Sequence, residues 1–127
     1  MARPPHPGPT ERELTLLKLL WEHGPSTVRQ LHQLIHLRPR PAYTSVQSNL
    51  QGMLDKGYVH SRTDQHAHVY AATVTRDEVE RRAVSDLIRR VFDGSALRLF
   101  TAALHDEQTT PAELERLQAL LDESRDD

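Results

Sequence analysis

No cysteine occurs among the 127 residues of this chain. That absence removes disulfides, thiolate nucleophiles and every zinc site built on sulfur, leaving histidine and carboxylates as possible metal ligands. Long apolar runs are missing as well. The richest stretch, Leu14 to Trp21, is broken by Lys18 and falls far short of the roughly 18 residues a membrane span needs, so no membrane insertion is expected. The opening MARPPHPGPT lacks the apolar centre of a secretory signal, and the chain is expected to stay in the cytoplasm. There is no glycine-rich phosphate loop and no nucleophile turn anchoring a Ser/His/Asp set, so neither catalysis nor a cofactor is expected. Apolar residues make up 37% of the chain, which suits one compact domain or two small subdomains.

What is present is unevenly placed. Residues 1–75 carry eight Lys or Arg against five Asp or Glu, a net +3, and residues 76–127 carry eight against thirteen, a net −5. Such asymmetry fits a first part that meets a polyanion and a second part that meets protein or solvent. Nearly all the cations are Arg, Lys18 and Lys56 being the only lysines, and Pro and His are plentiful. A base-composition bias of the genome gives the same pattern, so the eight histidines are not in themselves evidence for metal.

Residues 1–9 hold four of the eight prolines and no apolar period, which predicts a flexible arm. A T-x-x-E capping box, Thr10 with Glu13, opens a first helix with Leu14, Leu17, Leu20 and Trp21 on one face, closed by Gly24-Pro25. Thr27 and Gln30 cap a second helix, to about His36, with Val28, Leu31, Leu34 and Ile35 inward. Pro39 and Pro41 forbid its continuation. A third helix is predicted from Tyr43 to Lys56, ending at Gly57. Val46, Leu50, Met53 and Leu54 fall on one side of it; Thr44, Gln47, Ser48, Gln51 and Gly52 fall on the other. That second face is uncharged and rich in donors and acceptors, unlike the Glu/Lys mixture of an ordinary solvated helix. Two strands, 58–63 and 67–73, follow around Asp64-Gln65-His66 as a hairpin.

Beyond it, Thr75 and Glu78 cap a fourth helix marked by Val79, Ala83, Leu87 and Val91. Ser95 caps a short fifth helix with Leu97, Phe100 and Leu104. Thr110, Pro111 and Glu113 open a sixth bearing Leu114, Leu117, Leu120 and Leu121. Three short helices cannot bury these stripes within one chain, so the second part is expected to pair with a second copy.

Three helices and a hairpin, the third helix polar on its outer face, make a mainly α chain with a small β wing: a winged helix-turn-helix over 10–74 and a helical dimerisation region over 75–127. Thr, Ser and Gln on such a helix can contact base edges in a major groove, and the hairpin can reach the neighbouring backbone, where His68 would be a donor. Two other readings stand beside DNA binding. One is a winged helix that serves only as a protein-interaction adaptor. The other is a metal-responsive regulator, with His60, His66, His68 and Asp64 as nitrogen and oxygen ligands, His66 and His68 sharing a face by strand alternation.

The stretches LKLLWEHGPSTVRQLH, AYTSVQSNLQGMLDKGYV and HAHVYAATVTRDE, with FDGS at 92–95, resemble the penicillinase-repressor (BlaI/MecI) family of bacterial transcriptional regulators over nearly the whole chain from about Thr10. The resemblance implies a homodimer on an inverted-repeat operator of double-stranded DNA. Tyr43, Thr44, Ser45, Gln47 and Ser48 match the start of the family's DNA-reading helix, Arg40 sits just before it, and Lys56 and Arg62 match basic positions that contact phosphate. Gly52 departs from the pattern, since related sequences commonly have Arg or Lys there. Well-studied relatives are inactivated when a membrane sensor protease system triggers cleavage before a Phe that Phe100 matches. They have Asn immediately before it, where this chain has Leu99. A copper-responsive branch relies on C-terminal cysteines, which this chain lacks.

Overall fold

The computed structural model describes residues 8–125, so the arm expected over 1–9 lies almost wholly outside the described residues. In chain order the elements are α1 (Glu11–His23), β1 (Ser26–Thr27), α2 (Val28–Leu34), α3 (Tyr43–Lys56), β2 (Val59–Asp64), β3 (Ala67–Ala72), α4 (Arg76–Arg90), α5 (Ala96–Leu104) and α6 (Pro111–Arg125). The chain divides into two compact units, one ending at Ala83 and one beginning at Val84.

Local chemistry explains most of the boundaries. Thr10 with Glu13 and Thr27 with Gln30 both form reciprocal capping boxes, so two orphan amides are satisfied at the start of α1 and of α2. Helix α2 stops at Leu34, short of the His36 expected, because Ile35 is already extended and turns its side chain into the core. Helix α3 ends on Gly57 at φ 81° and ψ 15°, a left-handed geometry that strains any residue bearing a Cβ.

The sheet has the order β1-β3-β2 and is antiparallel throughout. Strand β1 is an addition to the expected hairpin: Ser26 pairs with Tyr70 and Thr27 with Val69. The wing turn is tighter than expected. Asp64 pairs with Ala67, so only Gln65 and His66 form the loop, both at positive φ (47° and 71°), as a type I′ hairpin requires.

The core of the first unit is built from Leu16, Leu17 and Leu20 of α1, Val28, Leu31 and Ile35 around α2, Val46, Leu50 and Met53 of α3, and Tyr58, Val59 and Tyr70 at the sheet. The inward stripe of α1 is therefore rotated from the one expected: Leu16 is buried, while Leu14 and Trp21 are half-buried. Trp21 has a specific task at the edge. Its indole Nε1 donates to the Val74 carbonyl at 2.9 Å and the Arg76 guanidinium lies 5.0 Å from its ring centroid, fixing the start of α4 to α1. Val79 packs against the same core, which is why the first unit extends beyond Thr75.

The second unit has well-formed helix starts and no buried residue among those described. Ser95 Oγ accepts from the Arg98 amide and Thr110 Oγ1 from the Glu113 amide. Leu87, Val91, Leu97, Phe100, Leu104, Leu120 and Leu121 all remain exposed. The chain is thus mainly α, a winged helix-turn-helix with a three-stranded sheet, followed by a helical region.

Candidate nucleic-acid interface

Helix α3 is held from one side and bare on the other. Val46, Leu50 and Met53 are completely buried, whereas Thr44, Gln47, Ser48 and Gln51 are exposed and Ser45 is half-buried. Because the apolar stripe is locked, the polar face is presented in a fixed direction, the condition for reading a ligand by side-chain geometry. Gln51 reaches along the helix to Asp55, Nε2 to Oδ1 at 3.4 Å, so the face turns acidic only at its C-terminal end.

The approach to α3 is organised around His32 on α2. The ring lies edge-on to Tyr43, with centroids 5.7 Å apart at 76°. Its Nε2 is 3.0 Å from the Pro41 carbonyl, an acceptor only, so Nε2 carries the proton. Nδ1 is then the acceptor facing Arg40 Nη2 at 3.4 Å, and the same Nη2 donates to the His32 carbonyl at 2.6 Å. Arg40 is exposed and anchored by one nitrogen, leaving the rest of its donor fork for an anion. Tyr43, Thr44, Gln47, Ser48 and Arg40 therefore form one surface around the start of α3.

Lys56, expected as a phosphate contact, is paired within the first unit. Its ammonium donates to both carboxylate oxygens of Glu13, at 2.9 and 3.0 Å. Glu13 is only 4% exposed, so this cation is committed to an internal partner. Gly52 lies on the same flank; a Cβ there would be 3.7 Å from Glu13 Oε2. Sequence reasoning saw Glu13 only as a cap, although its spacing with Leu16, Leu17 and Leu20 already put it on the buried stripe. Asn49 was also missed: its Oδ1 is buried without a hydrogen-bond partner.

On the wing, Arg62 opposes Val69 and His68 opposes Thr63. Both are exposed, but alternation puts them on opposite faces of the sheet. His66 occupies the turn, so the shared face expected for His66 and His68 is lost with the regular alternation. His60 Nδ1 lies 3.1 Å from Thr73 Oγ1. Among the described residues no three His, Asp or Glu side chains come together as metal ligands.

Of the residues expected to dimerise, Val79 is half-buried and packs against the first unit's core. Ala83, Leu87, Val91, Leu97, Phe100, Leu104 and Leu121 are exposed, and Leu114 and Leu117 are half-buried beside an apolar groove between α5 and α6 that Leu104 and Leu120 also line. The Leu99–Phe100 bond lies in the middle of α5.

The model of the penicillinase repressor family matches residues 9–123. This chain belongs to that family. The transcriptional regulator BlaI from two strains of Mycobacterium tuberculosis (CDC 1551 / Oshkosh and ATCC 25618 / H37Rv) is 33% identical over 85 residues, 66% of this chain. The aligned part spans 62% of those relatives. A solved structure of a transcriptional regulator from Thermotoga maritima aligns over 91% of this chain and 77% of its own at 18% identity, with a TM-score of 0.45. Membership of the penicillinase repressor family is what the LWEHGPSTVR, AYTSV and HVY stretches had suggested. In this member, no helix among the described residues is long and apolar enough to cross a membrane.

Proposed function

We propose that this chain is a sequence-specific DNA-binding transcriptional repressor, cytoplasmic, acting as a homodimer on an inverted-repeat operator. The observation that carries the reading is the bare Thr44, Gln47 and Ser48 face of a helix whose other face is locked by Val46, Leu50 and Met53. Hydroxyl and amide groups at that spacing match base edges and phosphates of a major groove, and Arg40 adds a backbone anchor beside them. Family membership and the name of the mycobacterial relatives support the same reading. Dimerisation is supported by the exposed apolar side chains of the second unit, which need a cover that a second copy supplies.

Release follows from the same arrangement. A two-headed protein holds its operator through the high effective concentration of the second head, so a signal that separates the protomers lowers affinity without touching α3. A membrane sensor protease is one such partner. Cleavage at Leu99–Phe100 would require α5 to unwind first, since the bond is inside a helix.

Selection of duplexes from random DNA with the full chain tests this. The expected product is an inverted repeat with half-sites one helical turn, about 10–10.5 base pairs, or a multiple of it apart. Gln47→Ala or Ser48→Ala should then lose about 1–3 kcal/mol of discrimination at one position per half-site, while Arg40→Ala weakens all sequences alike. A selection that returns no preferred sequence sinks the reading.

A further inference from the structure

Glu13 and Lys56 stand 43 residues apart in sequence and meet inside the first unit. Glu13 Oε1 receives the Thr10 amide at 2.9 Å and Lys56 Nζ at 2.9 Å; Oε2 receives the same ammonium at 3.0 Å. Thus one carboxylate closes the first turn of α1 and holds the last residue of α3. Neither ion has an easy alternative. The Glu13 side chain is 5% exposed and that of Lys56 is 24% exposed, so removing the Lys56 charge strands the Glu13 carboxylate away from water, and removing the Glu13 charge leaves a cation that is mostly covered. The cation also sits at the C-terminal end of α3, where the helix dipole favours it. At its other end α3 starts at Tyr43 behind Ala42, which supplies no side-chain cap, and the ion pair is a polar tie between the last residue of α3 and α1.

We propose that Lys56 and Glu13 are positioning residues that set the placement of α3, with Lys56 acting through Glu13 and touching no phosphate. The proposal rests on the reading of α3 as the DNA-reading helix. Side chains that read base edges must be held within roughly 0.5 Å and 10–20°, so loosening the C-terminal end of α3 costs sequence discrimination before it costs general attraction to DNA.

The test compares full-length wild type, Lys56→Gln, Glu13→Gln and the double variant on the selected operator and on a random duplex over a range of salt. Lys56→Gln should weaken operator binding about tenfold or more, leave the random duplex within about twofold, and leave the slope of log affinity against log salt unchanged. Glu13→Gln should weaken the operator in the same way, although it makes the chain more positive. The double variant restores a neutral pair in which the glutamine amide introduced by Glu13→Gln can still cap Thr10, and it should recover to within about threefold of wild type. A phosphate contact predicts the opposite set: a shallower slope, by about 0.9 per lost contact, parallel loss on both duplexes, a gain in affinity for Glu13→Gln, and no recovery in the double variant. Hydrogen exchange without DNA supplies the independent arm. Amides of residues 50–57 should exchange faster in both single variants and return toward wild type in the double. Unchanged exchange overturns the positioning role whether or not the chain binds DNA; accelerated exchange with no operator found keeps the tie and overturns only the DNA reading.

Discussion

The two units use the same local signals and reach opposite outcomes. Both have helices started by Ser or Thr caps, yet among the described residues all twelve buried core side chains lie at or before Tyr70 and none lies from Val84 onward. Capping and periodicity are satisfied within one helix, whereas burial needs partners from elsewhere. The first unit finds them in its own sheet and in three helices. The second, with Leu97 at 76% and Phe100 at 48% exposure, is complete as a set of helices and incomplete as a core, which is the physical content of the proposed dimer.

The largest effect that separates the two is a cavity in the closed core. Leu50→Ala removes a completely buried side chain of α3 and should cost about 3–5 kcal/mol, read as a fall in melting temperature of the same size at every protein concentration. Phe100→Ala should behave differently. Covering the exposed half of a phenyl ring, on the order of 100 Å², at about 25 cal/mol per Å² is worth about 2 kcal/mol per protomer. Sedimentation should show a dimer weakened by on the order of a thousandfold, twice that energy, while the fold of the first unit is unchanged. If Phe100→Ala leaves the association constant at its wild-type value, the second unit is not covered by its copy at this point.

How far the sequence reveals each part follows from the range of the interactions. Helix α3 has the bounds expected, Tyr43 and Lys56, because Pro41 and Gly57 are signals within a few residues of its ends. The caps at Thr10, Thr27, Thr75, Ser95 and Thr110 are legible for the same reason. Strand β1 is not, since two residues become a strand only when β3 arrives far along the chain. The wing turn is hidden too: Gln65 and His66 take left-handed values without the Asn or Gly that usually marks them. Within the candidate interface, the exposed face of α3 follows from periodicity alone. The pairing of Lys56 with Glu13 does not, because the two are 43 residues apart and the cap at Thr10 already accounts for Glu13. Val79 shows the converse: its period fits the stripe that continues through Leu87, but a nearby core takes it first.

The smallest expected effect concerns pH and is confined to the first unit, which holds all three tyrosines, Tyr43, Tyr58 and Tyr70. Burial of Tyr58 raises its phenol above the ordinary 10.0; Lys56 and Arg82 pull it down and Glu13 pushes it up, with burial prevailing. In the unfolded chain the phenol ionises at the ordinary value, and in the folded chain it ionises higher. Below pH 10 both states keep the proton and the contribution to stability is complete. As pH rises past 10 toward the folded value, the unfolded state loses its proton first, and that contribution is lost. Melting temperatures between pH 8 and 11 should therefore fall more steeply for wild type than for Tyr58→Phe. Every other titrating group is present in both proteins, so the difference between the two curves reports the phenol together with the charges that act on it. Parallel curves would mean that Tyr58 meets as much water in the folded unit as in the unfolded chain, and the contrast between a closed first unit and an open second one would have to be redrawn at that residue.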